Sequence, residues 1–235
     1  MDGQKPVGGP IDSIPELATR IPLALQRGFF VFYQTSEGHD LPHNPFNALV
    51  VPRPIGWISS VDAAGRANLA PYSFFNAVAY DPPQVLFAAT SNHAFGGLKD
   101  SVKNIQETGE FVVNLATWAL REQMNQSAVT APSEVDEFEY AGLSKAPAQL
   151  VAPPRVKESP AQLECVYTRT VELPAEPGNT NTVVFGQVIG VHIADWALVD
   201  GKVDFQSIQP IGRLGYQDYV RVVEVFSMER PTWPS

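Results

Sequence analysis

Apolar and polar residues alternate with a period of two in several stretches of this chain, and two others carry a helical period. At residues 55–61, Ile55, Trp57, Ser59 and Val61 alternate with Gly56, Ile58 and Ser60, which predicts a strand. Residues 62–65 open on Asp62 and close on Gly65, a turn, and residues 66–70 resume an extended chain. Pro71 removes an N–H donor and holds Ala70 away from helical angles. Tyr72-Ser73-Phe74-Phe75-Asn76 then gathers two hydroxyls, three rings and an amide. Such a run serves either as one wall of a site for a flat polar ligand or as a hairpin whose rings are plain core.

Further along, residues 84–90 form a nearly continuous apolar run, the pattern of a strand buried on both faces. Leu98, Val102 and Ile105 fall at i, i+4 and i+7 of a helix that Gly109 stops, and residues 110–115 form a strand. Thr117 is placed to cap a second helix running to about Ser127, with Leu120 and Met124 on one face. Residues 130–160 show little period, and their acidic run over 134–139 reads as a solvated surface. Residues 162–173 and 182–193 are long strands. In the second, Val183, Phe185, Ile189, Val191 and Ile193 share one face, while Gly186 and Gly190 on the other suggest a bend or a close approach. Asp200-Gly201 marks a hairpin, and residues 220–228 an extended tail. Residues 28–35 are aromatic and β-branched enough for a strand, and residues 1–20 read as a loose arm before one domain over 21–235. Hairpins outnumber helices, which gives a mainly β fold: an antiparallel β-barrel with peripheral helices.

Composition narrows the function. Twenty-one prolines and seventeen glycines in 235 residues favour turns over long helices. A net charge of −9 argues against nucleic acid or an anionic membrane as the main partner. The single cysteine, Cys165, excludes an internal disulfide and suits a reducing cytoplasm, and its strand context reads as a small buried apolar residue. No secretory pattern or membrane-spanning run is seen. His39 and His43 lie among prolines and read as solvent-facing loop residues rather than metal ligands. Dinucleotide, P-loop, zincin and serine-hydrolase motifs are absent. One positive constellation remains: the loop over 91–97 leads into Leu98-Lys99-Asp100-Ser101, where helix-start N–H groups, a lysine and a hydroxyl either hold an anion or simply cap the helix.

An ordered series of motifs goes further. Arg53-Pro54-Ile55-Gly56-Trp57-Ile58-Ser59-Ser60 is followed by Gly65-x-x-Asn68-Leu69-Ala70-Pro71-x-Ser73-Phe74-Phe75 and Asp81-Pro82-Pro83. Then come Lys99-Asp100-Ser101-x-x-Asn104-Ile105, Gly109-Glu110-Phe111-Val112-Val113-Asn114 and Glu137-Phe138-x-x-Ala141-Gly142-Leu143. Glu158-Ser159-Pro160-x-x-Leu163-Glu164-Cys165, Gly186-x-Val188, His192 and Arg213-Leu214-Gly215 with Tyr219 complete it. Over roughly residues 45–230 this series resembles the flavin reductase-like, FMN-binding split-barrel family, in its longer, flavoredoxin-like branch.

The resemblance implies a six-stranded antiparallel split β-barrel of Greek-key type, forming a homodimer with FMN near the subunit interface. It also implies a cofactor site made of Trp57, Ser59, Ser60, Asn68, Ala70, Ser73, Phe74, Lys99, Ser101 and Arg213. The isoalloxazine would lie against the strand over 57–60 and the segment over 68–75, and the phosphate near Ser59, Ser73, Lys99 and Ser101. Ser60 and Ser101 stand where relatives often carry Thr and keep the hydroxyl donor, while Gln187 replaces a usual acid. His192 is the candidate catalytic residue, orienting substrate or steadying reduced flavin, against a purely structural hydrogen bond. Arg213 pairs either with a flavin or nicotinamide phosphate or with a carboxylate. The implied activity is an NAD(P)H-dependent flavin reductase that passes hydride through FMN, taking NADH or NADPH as donor and a flavin or other small molecule as acceptor. Alternatives are a flavin-dependent oxygenase or reductase of one small molecule, and a non-enzymatic electron carrier.

Overall fold

The structure is a computed structural model and describes residues 30–233. By its contacts the chain divides into two units, Met1–Asn44 and Pro45–Ser235. The arm expected over residues 1–20, and residues 28–29 of the strand expected over 28–35, lie outside the described residues. Residues 30–35 form no strand: Phe30, Val31 and Phe32 are exposed and no neighbouring chain pairs with them among the described residues. A turn follows, closed by Glu37 N donating to Gln34 O at 2.9 Å, and the Tyr33 and His39 rings meet edge-on at 5.7 Å.

The second unit opens with one helical turn, α1 (Phe46–Leu49), and a short strand, β1 (Arg53–Pro54). Seven strands then build one antiparallel sheet: β2 (Gly56–Val61), β3 (Ala67–Tyr72), β4 (Phe75–Tyr80), β5 (Pro83–Thr90), β6 (Glu110–Leu115), β9 (Ala161–Leu173) and β10 (Asn181–Ile193). Two short strands, β7 (Lys145–Ala146) and β8 (Arg155–Val156), pair with each other outside it. The order across the sheet is β3-β2-β6-β9-β10-β5-β4. Its two edge strands, β3 and β4, are consecutive in the chain. At Ser73 and Phe74 the chain passes from one edge strand to the other, and Phe74 O accepts from Ala88 N of β5 at 2.8 Å, extending the β4–β5 ladder into this corner. The principal sheet therefore has one strand more than the six expected.

β2 is buried along its whole length and feeds two apolar cores. Trp57 packs with Leu69, Met124, Phe138 and Val156 on one side, while Ile58 packs with Phe87, Val102, Ile105, Phe111 and Val184 on the other. Helix α2 (Asp100–Thr108) ends at Gly109, whose φ of 78° supplies the left-handed stop read from the sequence. A 3-10 turn at Trp118–Leu120 leads into α3 (Arg121–Gln126), and Leu120 and Met124 are buried as expected. Thr117 makes no side-chain cap; it bridges to Pro210 in extended geometry. Helix α4 (Glu137–Tyr140) emerges from the acidic run and is capped by Asp136, which accepts from Phe138 N. The hairpin of β11 (Leu198–Val199) and β12 (Lys202–Val203) forms across Asp200-Gly201, both with positive φ, as the turn residues require. After the one-turn helix α5 (Phe205–Ile208), β13 (Ile211–Arg213) and β14 (Tyr219–Arg221) join β1 in a three-stranded sheet.

Two strand readings change. In β10 the buried side is Thr182, Val184, Gly186 and Val188, and the apolar row of Ile189, Val191 and Ile193 faces outward. Gly186 decides the parity: a Cβ there would run into the Phe111 ring, so this is the side that the core presses against. β5 is buried on one face through Val85, Phe87 and Ala89, and its other face borders an open cleft at Ala88 and Thr90.

Candidate functional site

That cleft, about 290 Å³, runs along the outer edge of β3. Asn68, Ala70 and Pro71 of β3, with Ser73 and Phe74 of the corner, form one wall. His93, Lys99, Asp100 and Ser101 form a second, and residues 127–131 a third. An edge strand exposes alternate N–H and C=O groups outward. Leu69 N is one of these, and it is met by Glu137 Oε2 at 3.0 Å. The next outward position is Pro71, which has no N–H to satisfy, so a proline fits this edge without cost to the ladder.

Beneath the wall lies a buried polar network. Asn68 Oδ1 accepts from Ser101 Oγ at 2.8 Å and faces Ser60 Oγ at 3.4 Å, and Asn68 Nδ2 donates to Glu137 Oε1 at 3.1 Å. Asn104 Nδ2 donates to Ser60 Oγ at 3.2 Å. β2, β3, α2 and α4 are thus tied together at the cleft floor, with each polar group partnered. Burial pushes the Glu137 carboxyl above its ordinary value, against the pull of its hydrogen bonds from Leu69 and Asn68. Burial likewise pushes the Tyr72 phenol up to about 12, with Ser101 opposing, so it stays protonated at neutral pH. Glu137 is only 6% exposed, so this one carboxylate of the acidic run turns inward, while Glu134 and Glu139 stay exposed as read from the sequence.

At the other end, His93 Nδ1 accepts from Phe95 N at 3.2 Å, which leaves the proton on Nε2, 3.4 Å from Asp100 Oδ2. Ser133 Oγ donates to the other oxygen of Asp100 at 2.7 Å. No side chain caps the start of α2, and Lys99 has no ion-pair partner among the described residues. This end of the cleft can therefore receive an anion, while Asp100 is already engaged by its neighbours.

Of the residues singled out from the sequence, Asn68, Ala70, Ser73, Phe74, Lys99 and Ser101 line this one cleft. Ser60 lies under it in the network. Trp57 is wholly buried, and its Nε1 donates to Ser127 Oγ at 2.8 Å, bracing the third wall from behind. Ser59 Oγ is turned away to Pro154 O at 2.6 Å. Arg213 lines a different cavity. His192 sits on β10 outside the cleft lining, its Nε2 bonded to Glu164. Sequence reasoning passed over Glu137 and His93 as site residues. Glu137 stood in the motif series, but nothing in an acidic run tells which carboxylate turns inward. Arg53, behind Phe74 with its guanidinium 5.7 Å from that ring, donates to Val50 O and Leu214 O and anchors the corner.

Residues 48–208 match the family described as the flavin reductase like domain. The chain belongs to the flavin reductase-like family. A protein of Aquifex aeolicus (strain VF5) is 41% identical over 174 residues, covering 74% of this chain and 86% of that one. Among solved structures, nitrilotriacetate monooxygenase component B from Bacillus cereus is 29% identical with a TM-score of 0.73, over 80% of this chain and 98% of that one. The 2-nitrobenzoate 2-nitroreductase of Pseudomonas fluorescens is also 29% identical, with a TM-score of 0.70 over 81% and 91%. Flavoredoxin of Desulfovibrio vulgaris (Miyazaki F), at 19% identity, shares the fold with a TM-score of 0.66 over 76% and 91%. As in other members of the flavin reductase-like family, the group to accommodate is a flavin. The cleft fits one in its chemistry: apolar lining from Ala70, Pro71 and Phe74, side-chain amide and hydroxyl at Asn68 and Ser73, and an unpaired lysine beside an uncapped helix start. Among the described residues no cluster of three or more His, Cys, Asp or Glu could hold a metal, and no helix is long and apolar enough to cross a membrane.

Proposed function

We propose that this chain is an FMN-dependent oxidoreductase, an NAD(P)H-dependent flavin reductase working as a homodimer, with the β3-edge cleft as its flavin site. One observation carries this reading: six residues singled out from the sequence, on β3, the 73–74 corner and the start of α2, converge on a single cleft. Bound FMN supplies hydride acceptance from a nicotinamide and onward delivery to an acceptor. The protein's own residues bind and orient. Lys99 and the α2 start receive the phosphate; Ser73 and Asn68 address polar edges of the ring; Ala70, Pro71 and Phe74 exclude water from its face. Tyr72 stays neutral and serves as a donor. His192 lies outside the cleft lining and is given no proton to move. Closure of the sheet into a split barrel is supported by the direct passage of the chain from edge strand β3 to edge strand β4 at residues 73–74.

Titration with FMN, followed by flavin fluorescence, tests the site, and anaerobic addition of NADH or NADPH tests the reaction. Saturable binding and bleaching of the visible flavin band by the nicotinamide alone are expected. A protein that takes up no FMN overturns the reading. Lys99→Ala should weaken FMN binding on the order of tenfold, about 1.4 kcal/mol. A second reading, reduction of one specific small molecule, is favoured by the 29% identity to a nitroreductase. Faster turnover with a nitroaromatic than with free flavin as acceptor would select it.

A further inference from the structure

A second cavity, about 570 Å³, shares no lining residue with the flavin cleft. Trp118, Arg121, Met124, Arg213, Tyr219 and Arg221 wall it. The Arg121 guanidinium lies 4.0 Å from the Trp118 ring centre, that of Arg221 5.0 Å from the same ring, and that of Arg213 4.5 Å from Tyr219. Two of these arginines have partners: Arg121 donates to Trp118 O at 2.8 Å and pairs with Glu122, and Arg213 donates to Tyr219 Oη and Tyr216 O. The Arg221 side chain has neither hydrogen bond nor ion pair among the described residues, and its Nε is buried without an acceptor. Glu122 is the sole acid in the lining, with a side chain 72% exposed. In a chain of net charge −9, this cavity is locally cationic.

We propose that this cavity is a second ligand site that takes a planar anion: an aromatic ring bearing a carboxylate or a phosphate. A buried guanidinium donor without an acceptor is costly, and an oxyanion removes that cost with charge-assisted hydrogen bonds. Guanidinium planes and aromatic walls offer stacking surface to a flat ring, and the volume suits a small molecule. The concave cluster of three arginines concentrates anions that the rest of the surface repels. The site does not rest on the flavin reading, because its residues are separate from the cleft.

Isothermal titration of the full chain with benzoate, with AMP and with inorganic phosphate, each without and with saturating FMN, tests the site. Saturable binding of benzoate or AMP is expected with FMN absent or present; whichever binds tighter identifies the anionic group. Arg221→Ala should weaken that binding on the order of tenfold, leaving the unfolding temperature and FMN affinity as they were. Arg221→Lys keeps charge without the planar fork and should recover only part of it. Three outcomes overturn the proposal: no binding at millimolar ligand, inorganic phosphate binding as tightly as either ring compound, or binding by Arg221→Ala as tight as by the unaltered chain.

Discussion

Glu137 serves two donors at the cleft floor, Leu69 N and Asn68 Nδ2, with one carboxylate. Removing it leaves both buried and unpaired, so Glu137→Ala should cost about 1–3 kcal/mol in urea unfolding at neutral pH. Glu137→Gln should cost less, since one acceptor oxygen remains. The carboxyl is held above its ordinary value by burial, so the folded chain keeps this proton more tightly than the unfolded one. Its contribution to stability is complete below the unfolded pKa and is lost as pH rises through the folded one. Wild-type stability should therefore fall relative to Glu137→Gln as pH climbs from the ordinary carboxylate range upward. Parallel pH profiles of the two proteins would refute this. Glu164 has the opposite sign. Burial pushes it up, but hydrogen bonds from Gln149 N, His192 and Leu150 N outweigh burial and hold it below its ordinary value. Its stabilisation is present above the unfolded pKa and disappears as pH falls through the folded one. His192→Ala should raise the pH at which acid unfolding begins, read by circular dichroism, while leaving FMN uptake intact; a lost flavin site with unchanged acid stability would contradict that role.

At the scale of elements, β10 is held in place by a glycine. A Cβ at Gly186 meets the Phe111 ring, and a ring displaced from a filled core costs about 1–3 kcal/mol, so Gly186→Ala should lower the unfolding midpoint by that amount. A stability equal to wild type would show that Phe111 has room to move. This position also marks how far local pattern reaches. The turns at Asp62 to Gly65 and Asp200-Gly201, the Gly109 stop and the strand Glu110–Leu115 follow from residues adjacent in sequence, and all were legible. The side of β10 that is buried depends on a ring from β6, which no period-two pattern reports. The same holds for the cleft. Asn68, Ser73, Lys99 and Ser101 carried donor chemistry visible in the sequence, whereas Ser59 turns to Pro154 and Glu137 turns inward through contacts 95 and 68 residues away. The segment over 130–160 shows no period because its elements, α4, β7 and β8, span only four, two and two residues, too short to display one.

At the scale of the molecule, the outward row on β10 continues into the segment after it. Val191 is 60% exposed and Trp196 58%, and Ile189, Ile193, Leu198 and Phe205 are also exposed. In the proposed homodimer, this row of apolar side chains along one strand and its continuation would be the contact, met by the same residues of a second copy about a two-fold axis. Each substitution in such an interface acts twice per dimer. A lysine at the centre of the row faces a like charge or an apolar side chain across the axis, and neither compensates its desolvation. Val191→Lys should therefore convert a dimer to a monomer in light scattering at micromolar concentration, with the far-ultraviolet circular dichroism of the fold unchanged. A wild-type chain that is already monomeric, or a variant that remains dimeric, would show that this row is not the contact.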